Sequence, residues 1–297
     1  MNSVRPLDRL AVSLVLLLCV TWGFTQITTK FALAEIPPMT QAALRSAFGA
    51  VLFGAFAIYR KPKLLAADGT LAGGLLCGLL FGLEFVALFI GLQWTSASRA
   101  ILFLYSAPLF VALGLRFVAP DERLSRLQWI GLCLSFVGLA VGLGVSSLSR
   151  EQLAGDLLAV LAGAIWGATT LVVKGSRLKS APAEKTLLYQ LVVSTFVLGA
   201  GAIVAHEPFP AHVSPFVAFC MAYQTIWVIC VTFFLWFWLI SRYRAGELSA
   251  FTFLTPIVGV FASTLVMGDK LTASFLVAVT LVAGGILLVN WPARKAV

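Results

Sequence analysis

A single carboxylate lies near the middle of a long apolar segment. Glu84 falls within residues 71–93, which carry no other charge. A charge at the centre of a bilayer is costly, so this side chain must face a water-filled cavity, pair with a cation or hold a proton. In a cavity, Glu84 would bind a substrate ammonium group or carry a coupling proton. Paired with Lys30 or Arg45, it would be structural, and the sequence leaves these alternatives open.

Four aromatic residues are further candidates for a substrate path: Trp22, Tyr105, Trp166 and Trp236. Trp22 and Trp166 each precede a glycine, whose missing side chain lets a helix or a substrate approach closely. Trp236 lies well inside an aromatic-rich segment. Aromatic walls suit apolar or cationic substrate groups. For Trp22 and Trp166, plain helix packing is the competing interpretation.

Two prolines occupy similar places in their segments. Pro108 and Pro256 predict matched kinks, and a kinked helix in each half of a bundle is a natural gate. One ancestral kink inherited twice would give the same pattern. Tyr105 lies three residues before Pro108, whose missing N–H leaves a carbonyl free for water or a ligand. Arg45 also lies inside an apolar segment, where it either attracts a substrate carboxylate in an outer vestibule or pairs with Glu35.

Composition excludes a soluble enzyme or a nucleic-acid-binding domain. The 297 residues are 60% apolar and 11% charged, and the net charge of +9 comes from Lys and Arg that lie mostly in alternate loops. The five cysteines lie in apolar segments without metal-ligand spacing, and His206 and His212 flank a proline-rich loop. We find no nucleotide-hydrolysis, dinucleotide-binding or metalloprotease motif. The sequence therefore predicts no enzyme activity, no metal and no cofactor.

Apolar runs of about 20 residues predict transmembrane helices rather than the shorter alternating strands of a barrel. Ten such runs, bounded by charges, Pro or Gly, fall at about 10–34, 39–59, 71–93, 98–118, 127–145, 155–173, 185–204, 214–240, 246–267 and 272–291. The sequence thus predicts an all-α integral membrane protein with ten transmembrane helices. The first run could instead be a signal peptide ending near Ala34, although it is longer than a signal core.

The basic residues predict the orientation. Three lie in loops on one side, namely Arg99, Arg150 and Lys270. Sixteen lie on the side of the amino terminus: Arg5, Arg9, Arg60, Lys61, Lys63, Arg116, Arg123, Arg126, Lys174, Arg177, Lys179, Lys185, Arg242, Arg244, Arg294 and Lys295. The positive-inside rule therefore places both termini in the cytoplasm. Lys30 and Lys174 are expected to extend to the membrane interfaces.

The two halves of the chain repeat each other. Residues 22–30 and 166–174 share Trp, Gly, Thr and Lys at one offset, and residues 106–108 resemble residues 254–256. Because each half holds five spans, the second copy must enter the membrane from the opposite face. We therefore predict two inverted five-helix repeats, at 1–145 and 155–297, joined by a linker at 146–154. Such an arrangement suits transport by alternating access.

These features together resemble the drug/metabolite transporter superfamily, in particular its EamA-type ten-helix exporters. The resemblance rests on the Trp-Gly pairs, the paired prolines, the acidic ends of the fourth and ninth segments and the glycine-rich fifth and tenth segments. The acidic residues are Asp121 and Asp269, where the family usually has Glu followed by a basic residue and Leu. Glu84 and Tyr105 resemble the YddG-type exporters of aromatic and neutral amino acids.

The resemblance implies a secondary transporter of the bacterial-type inner membrane that exports small metabolites, with aromatic or neutral amino acids as the first expectation. Export of cationic drugs or toxic amines is the alternative, because Glu84 and the aromatic residues suit a cation. Expected partners are a small-molecule substrate and the lipid bilayer, and one chain suffices as a monomer. The sequence does not distinguish proton-coupled from facilitated transport, and it identifies neither the substrate nor the resting conformation.

Overall fold

The computed structural model describes residues 5–95, 100, 103–143, 149–267 and 273–289, and within them the fold is helical. Its α-helices are α1 Arg9–Ala32, α2 Pro38–Arg60, α3 Leu71–Leu92, α4 Ala107–Val118, α5 Arg126–Leu143, α6 Arg150–Gly175, α7 Ala183–Val204, α8 Pro215–Ala222, α9 Phe234–Arg242, α10 Ala245–Phe251, α11 Leu254–Met267 and α12 Ala273–Val289. A π-helix, Tyr223–Phe233, joins α8 to α9, and short 3₁₀ helices cover Pro120–Glu122 and Arg177–Ser180.

Within the described residues, six helical stretches are long and apolar enough to cross a membrane: Arg9–Thr29, Pro38–Arg60, Leu71–Leu92, Arg150–Gly175, Ala183–Val204 and Pro215–Arg242. Shorter apolar helices cover Ala107–Val118 and Leu276–Val289. A multi-pass helical membrane protein follows from these stretches, because a helix satisfies its own backbone groups in lipid.

Local sequence explains where several helices begin. The Asp8 carboxylate accepts a hydrogen bond from the Ala11 N–H at 2.8 Å and caps α1. Ser149 and Ser214 cap α6 and α8 in the same manner, since their hydroxyls accept from backbone N–H groups in the first turn. Such caps satisfy amide donors that have no partner within the helix.

Polar contacts between loops define two ends of the bundle. At one end, Tyr243 donates to Asp8 at 2.8 Å, Lys174 pairs with Glu122 at 2.7 Å, and Lys185 pairs with Asp68 at 2.8 Å. These contacts join the amino terminus to the loops after α2, α4, α6 and α9, which carry most of the Lys and Arg residues; we call this the basic end.

At the other end, called the opposite end, the loop after α1 meets the loop after α7. Glu207 accepts hydrogen bonds from the N–H groups of Met39 and Thr40 at 3.1 and 2.7 Å, and Glu35 accepts from the Ser214 N–H at 2.6 Å. Helices α1, α2 and α7 therefore run between the two ends of the bundle.

Several contacts between helices have a counterpart when each helix is exchanged for its equivalent in the other half of the chain. Helix α3 packs on α6, and the equivalent contact after exchange is that of α1 with α8 and the π-helix. Helix α3 also packs on α7, and the equivalent contact is that of α2 with the π-helix. Helix α4 packs on α6, as α1 packs on α11, while α2–α7 and α5–α12 pair across the halves.

Glycines permit two of these matched contacts. A Cβ placed on Gly167 would lie 2.8 Å from Cβ of Phe110 in α4, and one on Gly23 would lie 2.8 Å from Val258 in α11. The glycine after each tryptophan thus allows a close approach between helices, as helix pairs in membranes often require.

Candidate substrate cavity

A cavity of about 110 Å³ lies among α1, α2, α3, α6, α7 and the π-helix with α9. Its walls are mostly apolar and aromatic, with a few polar groups. The residues around it are Trp22, Thr25, Thr29, Arg45, Phe81, Glu84, Phe85, Leu88, Phe89, Leu92, Leu104, Tyr105, Trp166, Thr169, Thr170, Gln190, Val228, Phe233, Trp236 and Phe237. Small-molecule sites in proteins have this composition, in which few polar groups orient a ligand between apolar walls.

All five residues expected to bind substrate border this one cavity: Trp22, Glu84, Tyr105, Trp166 and Trp236. They come from both halves of the chain, and all but Trp166 are buried. The chain thus brings together side chains separated by more than two hundred residues.

Helix α3 contributes one face to the cavity. Its lining positions, from Phe81 through Glu84 and Leu88 to Leu92, recur every three or four residues. This spacing places them on one side of a helix over about 16 Å, at 1.5 Å per residue. The opposite side of α3 presents glycines to α7, where a Cβ on Gly78 would lie 2.5 Å from Val193.

Trp22 is at the centre of an aromatic cluster. Its ring lies edge-on to Trp236, Phe233 and Trp166, with centroid distances of 5.5, 5.9 and 6.2 Å. Tyr105 in turn lies edge-on to Trp166 at 5.3 Å. Edge-to-face contacts of this kind fix ring orientations more firmly than apolar packing alone. The cluster forms a rigid wall built from both halves.

The π-helix supplies a partner for Trp22. The Trp22 Nε1–H donates to Thr232 Oγ1 at 3.0 Å, and that hydroxyl donates to the Val228 carbonyl at 2.6 Å. A π-helix is wider than an α-helix and is frequent at functional sites. Sequence reasoning missed this element, because no residue type in 223–233 specifies π rather than α geometry.

Glu84 borders the cavity with an exposed fraction of 7%. Among the residues that the structure describes, its carboxylate has no hydrogen bond and no ion pair. It does interact through space with the positive charge of Arg45. The expected direct ion pair between Glu84 and Arg45 is therefore not formed; the side chain of Lys30, the other expected partner, lies outside the described residues.

Arg45 borders the same cavity and is 4% exposed. Its guanidinium carbon lies 4.4 Å from the centroid of the Phe85 ring, a cation–π contact. It forms no ion pair with Glu35 among the described residues, because the Glu35 carboxylate accepts from Ser214 instead. That hydrogen bond holds the pKa of Glu35 below its usual value. Of the two alternatives for Arg45, the pairing with Glu35 is therefore not formed.

Gln190 in α7 also borders the cavity, and sequence reasoning missed it. The side chain is fully buried, and neither its amide nitrogen nor its amide oxygen has a hydrogen-bond partner in the described structure. Its signal was available, since a buried Gln in an otherwise apolar span is costly without a function.

The two prolines lie beside the cavity rather than on it. Both are buried, and the chain leaves helical geometry at Tyr105–Ser106 before α4 and at Thr252–Phe253 before α11, two to four residues before each proline. The carbonyl of Leu104, which Pro108 has no N–H to satisfy, faces Gly163 of α6, where a Cβ would lie 2.6 Å away.

A second set of buried charges lies at the basic end. Lys174 donates to the Glu122 carboxylate and to the Tyr243 carbonyl at 2.7 and 2.9 Å, and the other Glu122 oxygen accepts from the Ala245 N–H at 2.7 Å. Lys174 therefore does not extend to the interface as expected, because it forms a buried ion pair instead.

This ion pair identifies the acidic residue that matters at the end of α4. It is Glu122, followed by Arg123 and Leu124, rather than Asp121. The Glu, basic residue and Leu order expected of the family is thus present one residue later than predicted. The side chain of Asp121 and all of Asp269 lie outside the described residues.

Among the described residues, no three His, Cys, Asp or Glu side chains are grouped so as to hold a metal ion. The cavity instead combines aromatic walls with one carboxylate, one guanidinium and one amide. It can bind an apolar group beside a charged one, which is the chemistry of a solute-binding site in a membrane protein.

The fold defines a multi-pass helical membrane protein with a cavity between its helices, and the family match identifies it as a transporter. The chain belongs to the EamA-like transporter family, whose pattern matches residues 9–143 and again 153–291. The resemblance predicted from the sequence, to the drug/metabolite transporter superfamily, is confirmed.

Relatives of this chain match over nearly its whole length. It is 28% identical to an uncharacterized transporter, YvbV, of Bacillus subtilis, over 96% of this chain and 92% of the relative. It is 25% identical to a probable amino-acid metabolite efflux pump of Escherichia coli, over 96% of each. A chain of known crystal structure shares the fold, with a TM-score of 0.78, 20% identity and coverage of 94% and 95%.

Proposed function

We propose that this protein is a secondary exporter of small metabolites, and that its substrates are amino acids with aromatic or other apolar side chains. The observation that carries the proposal is the cavity, where the Glu84 carboxylate has no hydrogen bond to any described residue and lies among the same lining residues as the aromatic cluster of Trp22, Trp166 and Trp236. A buried charge left open in a transporter is expected to serve a ligand or a proton. The name of the Escherichia coli relative agrees with this substrate class.

The proposed architecture has ten transmembrane helices in two inverted repeats, 1–145 and 155–297, with a linker at 146–154. The exchange-related helix contacts support the repeat, as do the two separate family matches. The gathering of basic loops at one end supports a cytoplasmic location for both termini in the bacterial-type inner membrane. Since one chain builds the whole cavity, a monomer suffices.

In this proposal, alternating access opens the cavity to one end and then to the other. Pro108 and Pro256 act as the gates, because the helix interruptions beside them let α4 and α11 bend without breaking further hydrogen bonds. Tyr105 is part of the first interruption and borders the cavity, so movement of α4 would carry a substrate contact with it.

The test is counterflow in liposomes that contain the purified protein and are preloaded with unlabelled amino acids. Wild type should accumulate labelled phenylalanine or leucine, and Trp166→Ala should lose most of this exchange because it removes the wall between Trp22 and Tyr105. Trp227→Ala, at a 40% exposed position outside the cavity, is the matched control and should exchange normally.

Glu84→Gln then separates two roles of the carboxylate. If Glu84 carries the coupling proton, exchange survives while accumulation driven by an imposed pH gradient disappears. If Glu84 binds the substrate ammonium, both are lost. Wild-type protein that exchanges no amino acid would refute the proposed substrate class.

Export of cationic amines is the second candidate, because a carboxylate amid aromatic rings also suits a cation without a carboxylate. Quaternary ammonium compounds that compete for exchange, when zwitterionic amino acids do not, would select this function.

A further inference from the structure

We propose that Arg45 forms a subsite for the carboxylate group of the transported solute. The inference rests on the proposed function and deepens it, since it distinguishes a zwitterionic amino acid from a simple amine. It assigns Arg45 to the central cavity, as part of the substrate contact rather than of the outer loops.

The unpaired atoms of Arg45 carry the argument. Its Nε and Nη2 are buried and have no hydrogen-bond partner in the described structure. These two nitrogens lie on the same edge of the guanidinium group, and together they form the fork that grips a carboxylate through two parallel hydrogen bonds. Buried donors without protein partners are uncommon, and two adjacent ones on one guanidinium edge have the geometry that binds a carboxylate.

The surroundings of Arg45 hold this fork in place. One face of the guanidinium lies against Phe85, which limits rotation of the group. Ser46, the next residue in α2, accepts a hydrogen bond from Ser194 of α7 at 3.1 Å. Gln190, one turn before Ser194 in α7, borders the same cavity and also has an amide without a hydrogen-bond partner in the described structure.

The rest of the cavity completes a zwitterion site. Glu84 precedes Phe85 and attracts Arg45 without bonding to it, so a ligand with both charges fits between them. Ring contacts continue from Phe85 to Phe81 at 5.1 Å and from Phe81 to Phe233 at 5.7 Å, and Phe233 touches Trp22. The apolar side chain of the solute would lie along these rings.

The test compares three competitors of labelled phenylalanine in the counterflow assay: phenylalanine, phenethylamine, which lacks the carboxylate, and 3-phenylpropionate, which lacks the ammonium. In wild type, phenethylamine should compete about 10–100-fold less well than phenylalanine, since it leaves the Arg45 fork unfilled. Arg45→Gln should weaken competition by phenylalanine by a similar factor and leave competition by phenethylamine unchanged.

Two further variants keep the result interpretable. Arg45→Lys retains the charge but not the fork, so it should restore only part of the preference for phenylalanine. Arg242→Gln is the matched control, because Arg242 makes the same 4.4 Å cation–π contact, with Trp238, away from the cavity. Each variant should elute as a single species in gel filtration before it is assayed.

The outcomes separate the two proposals. If Arg45→Gln weakens competition by phenylalanine and by phenethylamine equally, or weakens neither, the carboxylate subsite is refuted. The proposal of amino-acid exchange is unaffected by that result. If wild type exchanges no amino acid, the proposed function fails. In that case the subsite is tested by the thermal stabilisation that 3-phenylpropionate gives to the protein. Equal stabilisation of wild type and Arg45→Gln, or stabilisation of neither, would refute the subsite.

Discussion

Buried charges at the basic end and buried charges in the cavity are satisfied in opposite ways. Lys174 and Glu122 make hydrogen bonds to each other and to backbone groups of the α9–α10 junction. In the cavity, Glu84 makes no hydrogen bond to any described residue, and Arg45 keeps two nitrogens without partners. Both regions are equally buried, so burial alone does not distinguish a structural charge from a functional one.

The two regions differ in where the partner of each buried charge comes from. At the basic end the chain closes its own network, which ties α6 to the loops after α4 and α9. In the cavity these charges have no ion-pair partner among the described residues, and in our proposal their desolvation is offset when a ligand or a proton binds. Such sites reduce stability and are retained for function. This contrast predicts that loss of a charge lowers stability at the basic end, whereas in the cavity it impairs transport with little change in stability.

The largest effect is expected for Glu122→Ala. The change removes the acceptor of both Lys174 and the Ala245 N–H, and loss of one partner from a buried ion pair costs about 3–5 kcal/mol. Thermal unfolding in detergent should shift strongly downwards. Lys61→Ala is the control, because the Lys61–Glu184 pair is partly exposed and is expected to contribute about 1 kcal/mol or less. Equal shifts for the two variants would contradict the contrast.

A smaller loss is expected for Gly167→Ala in α6, next to the cavity residue Trp166. The added methyl group would lie 2.8 Å from Cβ of Phe110, and overpacking of this kind costs about 1–3 kcal/mol. Gly199→Ala is the control, since no atom lies within 4 Å of a Cβ at that position. Thermal unfolding in detergent compares the two. A tolerated Gly167→Ala would show that α6 and α4 can separate freely.

Glu84→Gln should change stability by less than about 1 kcal/mol, because it breaks no hydrogen bond within the described structure. Transport should nevertheless be impaired, as argued above. Thermal unfolding and counterflow on the same preparation measure the two properties together. A stability loss as large as that of Glu122→Ala would show that Glu84 is a structural charge.

The smallest effect concerns Asp68 at the basic end. The hydrogen bond from Lys185 lowers the pKa of Asp68 from its usual 3.8 to about 2, and Thr70 adds to the effect. A carboxyl group with a lowered pKa stabilises the fold fully above its unfolded pKa and loses that contribution as pH falls through the folded pKa. Asp68→Asn should therefore melt below wild type at pH 7, and the gap should close between about pH 4 and pH 2.

Much of the site could be predicted from the sequence. Glu84 and the four aromatic residues were identifiable because a charge or a ring at membrane depth is conspicuous in an apolar segment, and all five border one cavity. Family membership was identifiable from the Trp-Gly pairs and the glycine-rich segments. The partners of Arg45 and Lys174 were not, because pairing depends on which helix faces which.

By itself, the sequence determined the helical membrane class, through apolar runs that must satisfy their own backbone in lipid. It also predicted the repeat, through matched residues. Only the tertiary structure decided that Lys174 forms an ion pair with Glu122, whereas Arg45 and Glu84 have no ion-pair partner among the described residues. It also decided that Gln190 borders the same cavity as Arg45 and Glu84. The physical reason is that apolar periodicity is local, whereas the satisfaction of a buried charge depends on partners from distant segments that meet only when the helices pack.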